Sequence, residues 1–142
     1  MSDPKNILSQ FWGHTSFRPS QLEIITSVLN AKETLALLPT GGGKSICFQI
    51  PGLLLEGLTI VVTPLIALMM DQVSDLKQRK IKAMAIHSGM SSKEIDVALD
   101  NCIYGAYCFL YISPERLSSD LFLARASKMN IVLMAIDEAH CI

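Results

Sequence analysis

Five short apolar runs constrain this chain more than any other feature. They are Thr34–Leu38, Leu58–Val62, Ala83–Ile86, Cys108–Ile112 and Ile131–Ile136. Each is continuous rather than alternating, which predicts strands buried on both faces, as in a parallel sheet. Helical spacings lie between them. Leu65, Met69, Val73 and Leu76 recur on one helical face, with Pro64 expected at the first helical position. Ile95, Leu99, Cys102 and Ile103 form a second stripe, preceded by Ser91 and Glu94 at the spacing of a capping box. Such alternation predicts an α/β fold, a mostly parallel sheet covered by helices with right-handed crossovers. Two helices should precede the first strand. One follows Asp3–Pro4, carries Ile7, Leu8, Phe11 and Trp12, and stops at Gly13. The other starts near Pro19 and carries Leu22, Ile25 and Leu29. Pro51 is expected to end or kink the helix that follows Lys44.

A length of 142 residues suits one domain, taken as 1–142. Half of the residues are hydrophobic, yet no apolar run reaches the ~18 residues that span a bilayer. The opening MSDPKNILSQ lacks the charged-then-apolar order of a signal peptide, so a cytoplasmic protein with no membrane partner is expected. The net charge of −1 does not advertise a polyanion partner. The local cluster Lys77, Arg79, Lys80 and Lys82 reads as a solvated helix end, where cations suit the helix dipole. Cys47, Cys102, Cys108 and Cys141 contain no C-x-x-C pair. They read as reduced thiols packed as small hydrophobes, with no zinc site.

Between the first two apolar runs lies LPTGGGKS, Leu38 to Ser45. A glycine-rich turn between a buried strand and a helix is the context of a phosphate loop. Glycines let backbone N–H groups approach phosphate oxygens, and the following helix points its positive end at the same place. Pro39, Thr40, Gly41, Gly42, Gly43, Lys44 and Ser45 are therefore candidate nucleotide-binding residues. Lys44 is suited to the β and γ phosphates, and the Ser45 hydroxyl to magnesium. Leu38 stands where the strict pattern has its first glycine.

After the last apolar run comes DEAH, Asp137 to His140. Ligands of open α/β sheets bind at the carboxyl ends of the strands. Asp137 is the candidate magnesium ligand, and Glu138 the group that orients and deprotonates an attacking water. His140 is read either as a relay of nucleotide state or as a local structural hydrogen-bonding group.

Together these segments resemble the start of a RecQ-type DNA helicase of superfamily 2. The resemblance extends from about Phe11 to Ile142. FRPSQ (Phe17 to Gln21) resembles the family's adenine-recognition segment. It implies that Gln21 hydrogen-bonds the adenine edge and Arg18 stacks on its face. His14 stands where a tyrosine is often found, and Ser20 where glycine is common. TPLIALMMDQV (Thr63 to Val73) and YISPERL (Tyr111 to Leu117) are similar to strand-contacting motifs. They imply DNA contacts at Thr63, Pro64, Leu65 and Arg116, against the plainer readings of a capped helix and an Arg116–Glu115 ion pair. HSG, His87 to Gly89, reads as a turn.

The resemblance implies a RecA-like P-loop NTPase domain, the first lobe of a 3′-to-5′ DNA helicase of repair and recombination. It implies ATP and Mg2+ as cofactors, and single-stranded or partly duplex DNA and a second helicase lobe as partners. That lobe carries an arginine finger worth about 10³- to 10⁵-fold in phosphoryl transfer, so slow hydrolysis and no unwinding are expected of these 142 residues alone. In such folds a further strand enters between the phosphate-loop and DEAH strands. Its absence predicts an interrupted or closed-up sheet, truncated after the DEAH strand, with Lys44 and Asp137 imperfectly placed and strand edges exposed. Two other readings compete. A small P-loop kinase or GTPase would need a lid or an N-K-x-D segment, and the sequence has neither. A non-catalytic nucleotide- or DNA-binding module that needs a partner lobe would carry the same loops.

Overall fold

A computed structural model of the chain describes residues 3–34, 36 and 43–137. It divides into two compact units, Met1–Glu56 and Gly57–Ile142.

The first unit is helical. Helix α1 (Pro4–Ile7) starts at Asp3, whose carboxylate accepts the Asn6 N–H at 2.9 Å. It passes into one π-helical turn, Leu8–Trp12, which ends where Gly13 turns left-handed at φ 72°. Helix α2 spans Gln21–Leu29 and α3 spans Ile46–Leu54. Ile7, Leu8, Ile25 and Ile50 form their common core, flanked by Phe11, Trp12, Phe17 and Leu29. Leu22, expected on the core face of α2, is 49% exposed; Gln21 takes the buried place beside it. Pro51 does not end α3, which continues three residues beyond it. Its ring costs that helix one backbone donor, but the next turn still closes, with Leu55 N–H donating to the Pro51 carbonyl at 3.0 Å.

The expected strand Thr34–Leu38 has no counterpart among the described residues. Thr34 and Ala36 lie in no strand, and residues 35, 37 and 38 lie outside the described set. Thr34 is instead tied to the end of α2, its hydroxyl 2.8 Å from the Ser27 hydroxyl and donating to the Lys32 carbonyl. Local side-chain bonds of this kind compete with strand pairing.

The second unit holds a parallel sheet of β1 (Leu58–Val62), β2 (Ala83–Ile86), β3 (Phe109–Ile112) and β4 (Ile131–Ile136), in the order β2-β3-β1-β4. Every β1 and β3 residue is buried, as their continuous apolar sequences predict. Helices α4 (Ile66–Gln78), α5 (Ser92–Tyr104), α6 (Pro114–Leu117) and α7 (Asp120–Ala126) connect the strands. One core cluster joins Leu58, Ile60, Val62, Leu110 and Ile112 to Ile95, Leu99 and Cys102 of α5 and Phe122 of α7. Arg125 of α7 bonds Asp96 and Asp100 of α5, clamping the two helices.

The capping box of α5 forms as expected, with both Ser91–Glu94 bonds present. Pro64 is not the first residue of α4: the helix begins at Ile66, with Leu65 as its extended N-cap. Leu65 is therefore 47% exposed, while Met69, Val73 and Leu76 carry the buried stripe. The cationic cluster is a helix end, as read. Arg79 caps α4 and pairs with Asp75 at 3.0 Å, and Lys80 follows in the left-handed region at φ 65°. His87–Gly89 is a turn, with Gly89 N–H donating to His87 Nδ1 at 3.1 Å.

Strand β4 lies at an edge of the described sheet, and its Met134 and Ile136 are half exposed, at 50% and 55%. Among the described residues no helix is long and apolar enough to cross a membrane.

Candidate nucleotide site

In the first unit, Ser20 adopts φ 71° and turns the chain into α2, which places Gln21 inward at 3% exposure. The left-handed turn explains why glycine suits position 20. The Gln21 side chain joins two segments far apart in sequence. Its Oε1 accepts the Arg18 N–H at 2.7 Å, and its Nε2 donates to the Gly43 carbonyl at 3.0 Å. A primary amide has two N–H donors and two acceptor lone pairs, so these bonds leave one of each for a base edge.

Gly43 is required twice. Its φ is 72°, and a Cβ there would lie 2.7 Å from Gln21 Nε2. The same point is 3.9 Å from the Arg18 side chain, so Arg18, Gln21 and Gly43 form one cluster. Lys44 and Ser45 follow directly and open α3, whose first turn closes with Gln49 N–H on the Ser45 carbonyl at 2.9 Å. The Ser45 hydroxyl makes no capping bond to that helix. A backbone without Cβ at the start of a nine-residue helix, with a hydroxyl not used as a cap, fits a phosphate and its hard cation. His14 is exposed. Pro39, Thr40, Gly41 and Gly42 lie outside the described residues.

In the second unit the sheet ladder sets the remaining candidates side by side at the carboxyl ends of the strands. Asp137 N–H donates to the Val62 carbonyl at 2.9 Å, Thr63 N–H to Ile112 at 3.1 Å, and Ser113 N–H to Ile86 at 3.4 Å. Asp137 is only 7% exposed and Thr63 only 1%. The Thr63 hydroxyl faces Leu65 N–H at 3.4 Å. Thr63 thus shapes the turn into α4, while Pro64 and Leu65 form its outer surface. Arg116, on α6, is half-buried and forms no ion pair with Glu115 among the described residues. Ser113 Oγ and Thr59 Oγ1 are buried with no hydrogen-bond partner among the described residues. Glu138 and His140 lie outside the described residues.

Two residues missed in the sequence complete this end of the sheet. The Tyr111 hydroxyl donates to Gln72 Oε1 at 2.6 Å, and Gln72 Nε2 lies 3.5 Å from Asp137 Oδ2. One sequence signal was available for Gln72. It sits three residues after Met69 and four before Leu76, beside the buried stripe of α4.

The described thiols are Cys47, Cys102 and Cys108, and Cys141 lies outside the described residues. Burial pushes Cys102 up to about 12 and Cys47 to about 11, and raises half-buried Cys108 despite Lys82 nearby. Among the described residues no three His, Cys, Asp or Glu side chains are grouped to hold a metal.

The family model for DEAD/DEAH box helicases matches residues 18–142. The chain is 46% identical over 143 residues to the probable ATP-dependent DNA helicase RecS of Bacillus subtilis, covering 100% of this chain and 28% of that protein. It is 47% identical over 139 residues to the ATP-dependent DNA helicase RecQ of the same organism, covering 97% of this chain and 24% of that one. Among solved structures, a hypothetical ATP-dependent RNA helicase from Sulfolobus tokodaii superposes with a TM-score of 0.74 over 99% of this chain and 42% of that one. At 24% identity that likeness shows the fold alone, a RecA-like parallel sheet flanked by helices.

Proposed function

The chain belongs to the DEAD/DEAH box helicase family, and from that premise we propose that it is the N-terminal ATP-binding part of a RecQ-type DNA helicase. The proposed parent activity is 3′-to-5′ unwinding in DNA repair or recombination. The chain spans about a quarter of the length of the RecS and RecQ relatives it matches. Unwinding therefore belongs to the proposal for the whole protein.

One observation carries the reading. The Gln21 amide, in the segment resembling an adenine-recognition motif, is hydrogen-bonded to Gly43, next to Lys44. Base recognition and phosphate binding are thereby mechanically joined. In this reading Gln21 offers its remaining N–H and lone pair to adenine, while Arg18 and His14 flank the base. Backbone N–H groups from Thr40 to Gly43, following Pro39, cradle the phosphates, with Lys44 neutralising the β and γ oxygens. Ser45 and Asp137 are the oxygen donors for magnesium, a hard cation that such ligands suit. When bound there, magnesium would supply charge neutralisation for the phosphates. Glu138 orients the attacking water and accepts its proton, and His140 relays nucleotide state. Arg116 takes a DNA phosphate, and the turn of Thr63, Pro64 and Leu65 takes another through the Thr63 hydroxyl and the Leu65 N–H.

The test is magnesium-dependent ATP binding to the 142-residue chain beside Lys44→Ala. Saturable binding that is lost in the variant is expected. Equal binding by both proteins would sink the assignment of the phosphate loop.

A further inference from the structure

The Tyr111–Gln72–Asp137 contacts join three elements that are remote in sequence. Tyr111 lies on β3, Gln72 on α4, and Asp137 just past β4. Tyr111 is fully buried and Asp137 nearly so. The chemistry of the amide makes the arrangement directional. Oε1 can only accept and Nε2 can only donate. The phenol O–H occupies Oε1 at 2.6 Å, which turns Nε2 toward the carboxylate. A flipped amide would set its oxygen against Asp137 Oδ2 and lose the phenol's donation.

We propose that Gln72 is a positioning residue for the Asp137 carboxylate, with Tyr111 fixing the orientation of the Gln72 amide. The proposal rests on the reading of Asp137 as a magnesium ligand. At 3.5 Å the Gln72–Asp137 contact is at the outer limit of a hydrogen bond. It steers the carboxylate without neutralising it. The main chain of Asp137 is held by Val62 at 2.9 Å, and the Gln72 amide bears on its carboxylate. Groups that orient a metal ligand typically change metal affinity about 10- to 100-fold when removed.

Gln72 also lies on the helix entered through Thr63, Pro64 and Leu65, the candidate strand-contacting turn. It sits about two helical turns from that end, roughly 10 Å along the axis. A movement of α4 along its axis would carry the Gln72 amide past Asp137.

The experiment measures ATP affinity of the 142-residue chain twice, once in chelator and once across a magnesium titration. It compares the parent with Gln72→Leu and Tyr111→Phe. Gln72→Leu is expected to raise the magnesium concentration at half-effect about tenfold, with affinity in chelator unchanged. Tyr111→Phe, which keeps the ring and its packing, should shift the midpoint in the same direction by less. An unchanged midpoint in folded Gln72→Leu overturns the proposal. So does equal weakening with and without magnesium, which is the mark of a structural role. If Gln72→Leu does not fold, by near-ultraviolet circular dichroism, Tyr111→Phe decides, and an unshifted midpoint in that variant overturns the proposal. A parent chain whose ATP binding ignores magnesium would overturn the assignment of Asp137 itself, and the proposal with it.

Discussion

Gln21 and Gly43, twenty-two residues apart, are joined by a 3.0 Å bond from the glutamine amide to the glycine carbonyl. The same side chain accepts the Arg18 N–H at 2.7 Å. An otherwise buried side chain therefore satisfies two main-chain groups at once. It also holds the start of α3 against the start of α2.

Removing that side chain should cost stability as well as affinity. Gln21→Ala leaves a donor and an acceptor without their partner in a poorly solvated place, at about 1–3 kcal/mol. Thermal denaturation should show a lower midpoint, and ATP titration a weaker Kd. Gln21→Glu should do worse on affinity, because it sets a carboxylate against the Gly43 carbonyl. An unchanged melting midpoint for Gln21→Ala would remove the bond from the account of the loop.

Lys80→Gly should stabilise the protein. The end of α4 is a Schellman motif, with Ile81 N–H on Leu76 O at 2.9 Å and Lys80 N–H on Lys77 O at 2.9 Å. Lys80 holds φ 65°, where an L side chain is strained. Relief of that strain, less the greater chain entropy of glycine when unfolded, should leave about 0.5–1 kcal/mol. Urea denaturation would read the gain as a higher midpoint at constant slope. A loss of stability would mean that the lysine side chain holds more than its backbone strain costs.

Gly57→Ala should destabilise the sheet. A Cβ at Gly57 would overlap Val132 Cγ1 and sit 2.8 Å from the Asn130 carbonyl. The register between β1 and β4 shifts at this end, where Leu58 pairs with Ile131 but Thr59 with Leu133. Val132 is the extra residue, and the absent side chain at 57 makes room for it. Parting the strands should cost about 1–3 kcal/mol. A melting midpoint equal to the parent's would show that β4 moves freely enough to accept the methyl.

The capping box of α5 should make stability depend on acid pH. Bonds from the Ser91 backbone and hydroxyl hold the exposed Glu94 carboxyl below its ordinary 4.5. A value lowered by folding means that the contribution is present above 4.5 and is lost as pH falls below it. Glu94→Gln keeps an acceptor for the Ser91 N–H but cannot titrate. The difference in melting temperature between parent and Glu94→Gln should therefore move in favour of the variant as pH falls below 4.5. A difference that is flat across that range would contradict the capping role of the charge.

Cys47 and Cys102 should resist alkylation in the native chain. Their thiols are buried and pushed up to about 11 and about 12, so little thiolate exists near neutral pH. Peptide mapping after brief iodoacetamide treatment should find both unmodified in buffer and both modified in urea. Fast native labelling of Cys102 would show that α5 opens far more readily than its packing suggests.

How much of this was legible follows from which forces are local. The runs Leu58–Val62, Ala83–Ile86 and Ile131–Ile136 became β1, β2 and β4 with the same bounds. A strand covered on both faces must be apolar along its length, and that requirement is written in consecutive residues. The Ser91–Glu94 box and the stop at Gly13 are local for the same reason, since their bonds close within four residues. Leu22 and Pro64 misled because each was placed by one helix considered alone. Which face is covered, and where α4 starts, depend on neighbours beyond the helix.

The sequence by itself therefore determined the α/β alternation from β1 onward, Gly43 ahead of α3 and Asp137 at the end of β4. Each is a property of a short stretch and of the solvent it avoids. Only the tertiary structure decided the strand order β2-β3-β1-β4, the Gln21–Gly43 bond and the approach of Tyr111 and Gln72 to Asp137. It also decided that Ser20 and Lys80 would bear left-handed backbones. The physical reason is common to all of them. Hydrogen bonds across 22, 39 and 65 residues form only once packing has brought the chain together, and single positions are strained only when the fold around them leaves no other path.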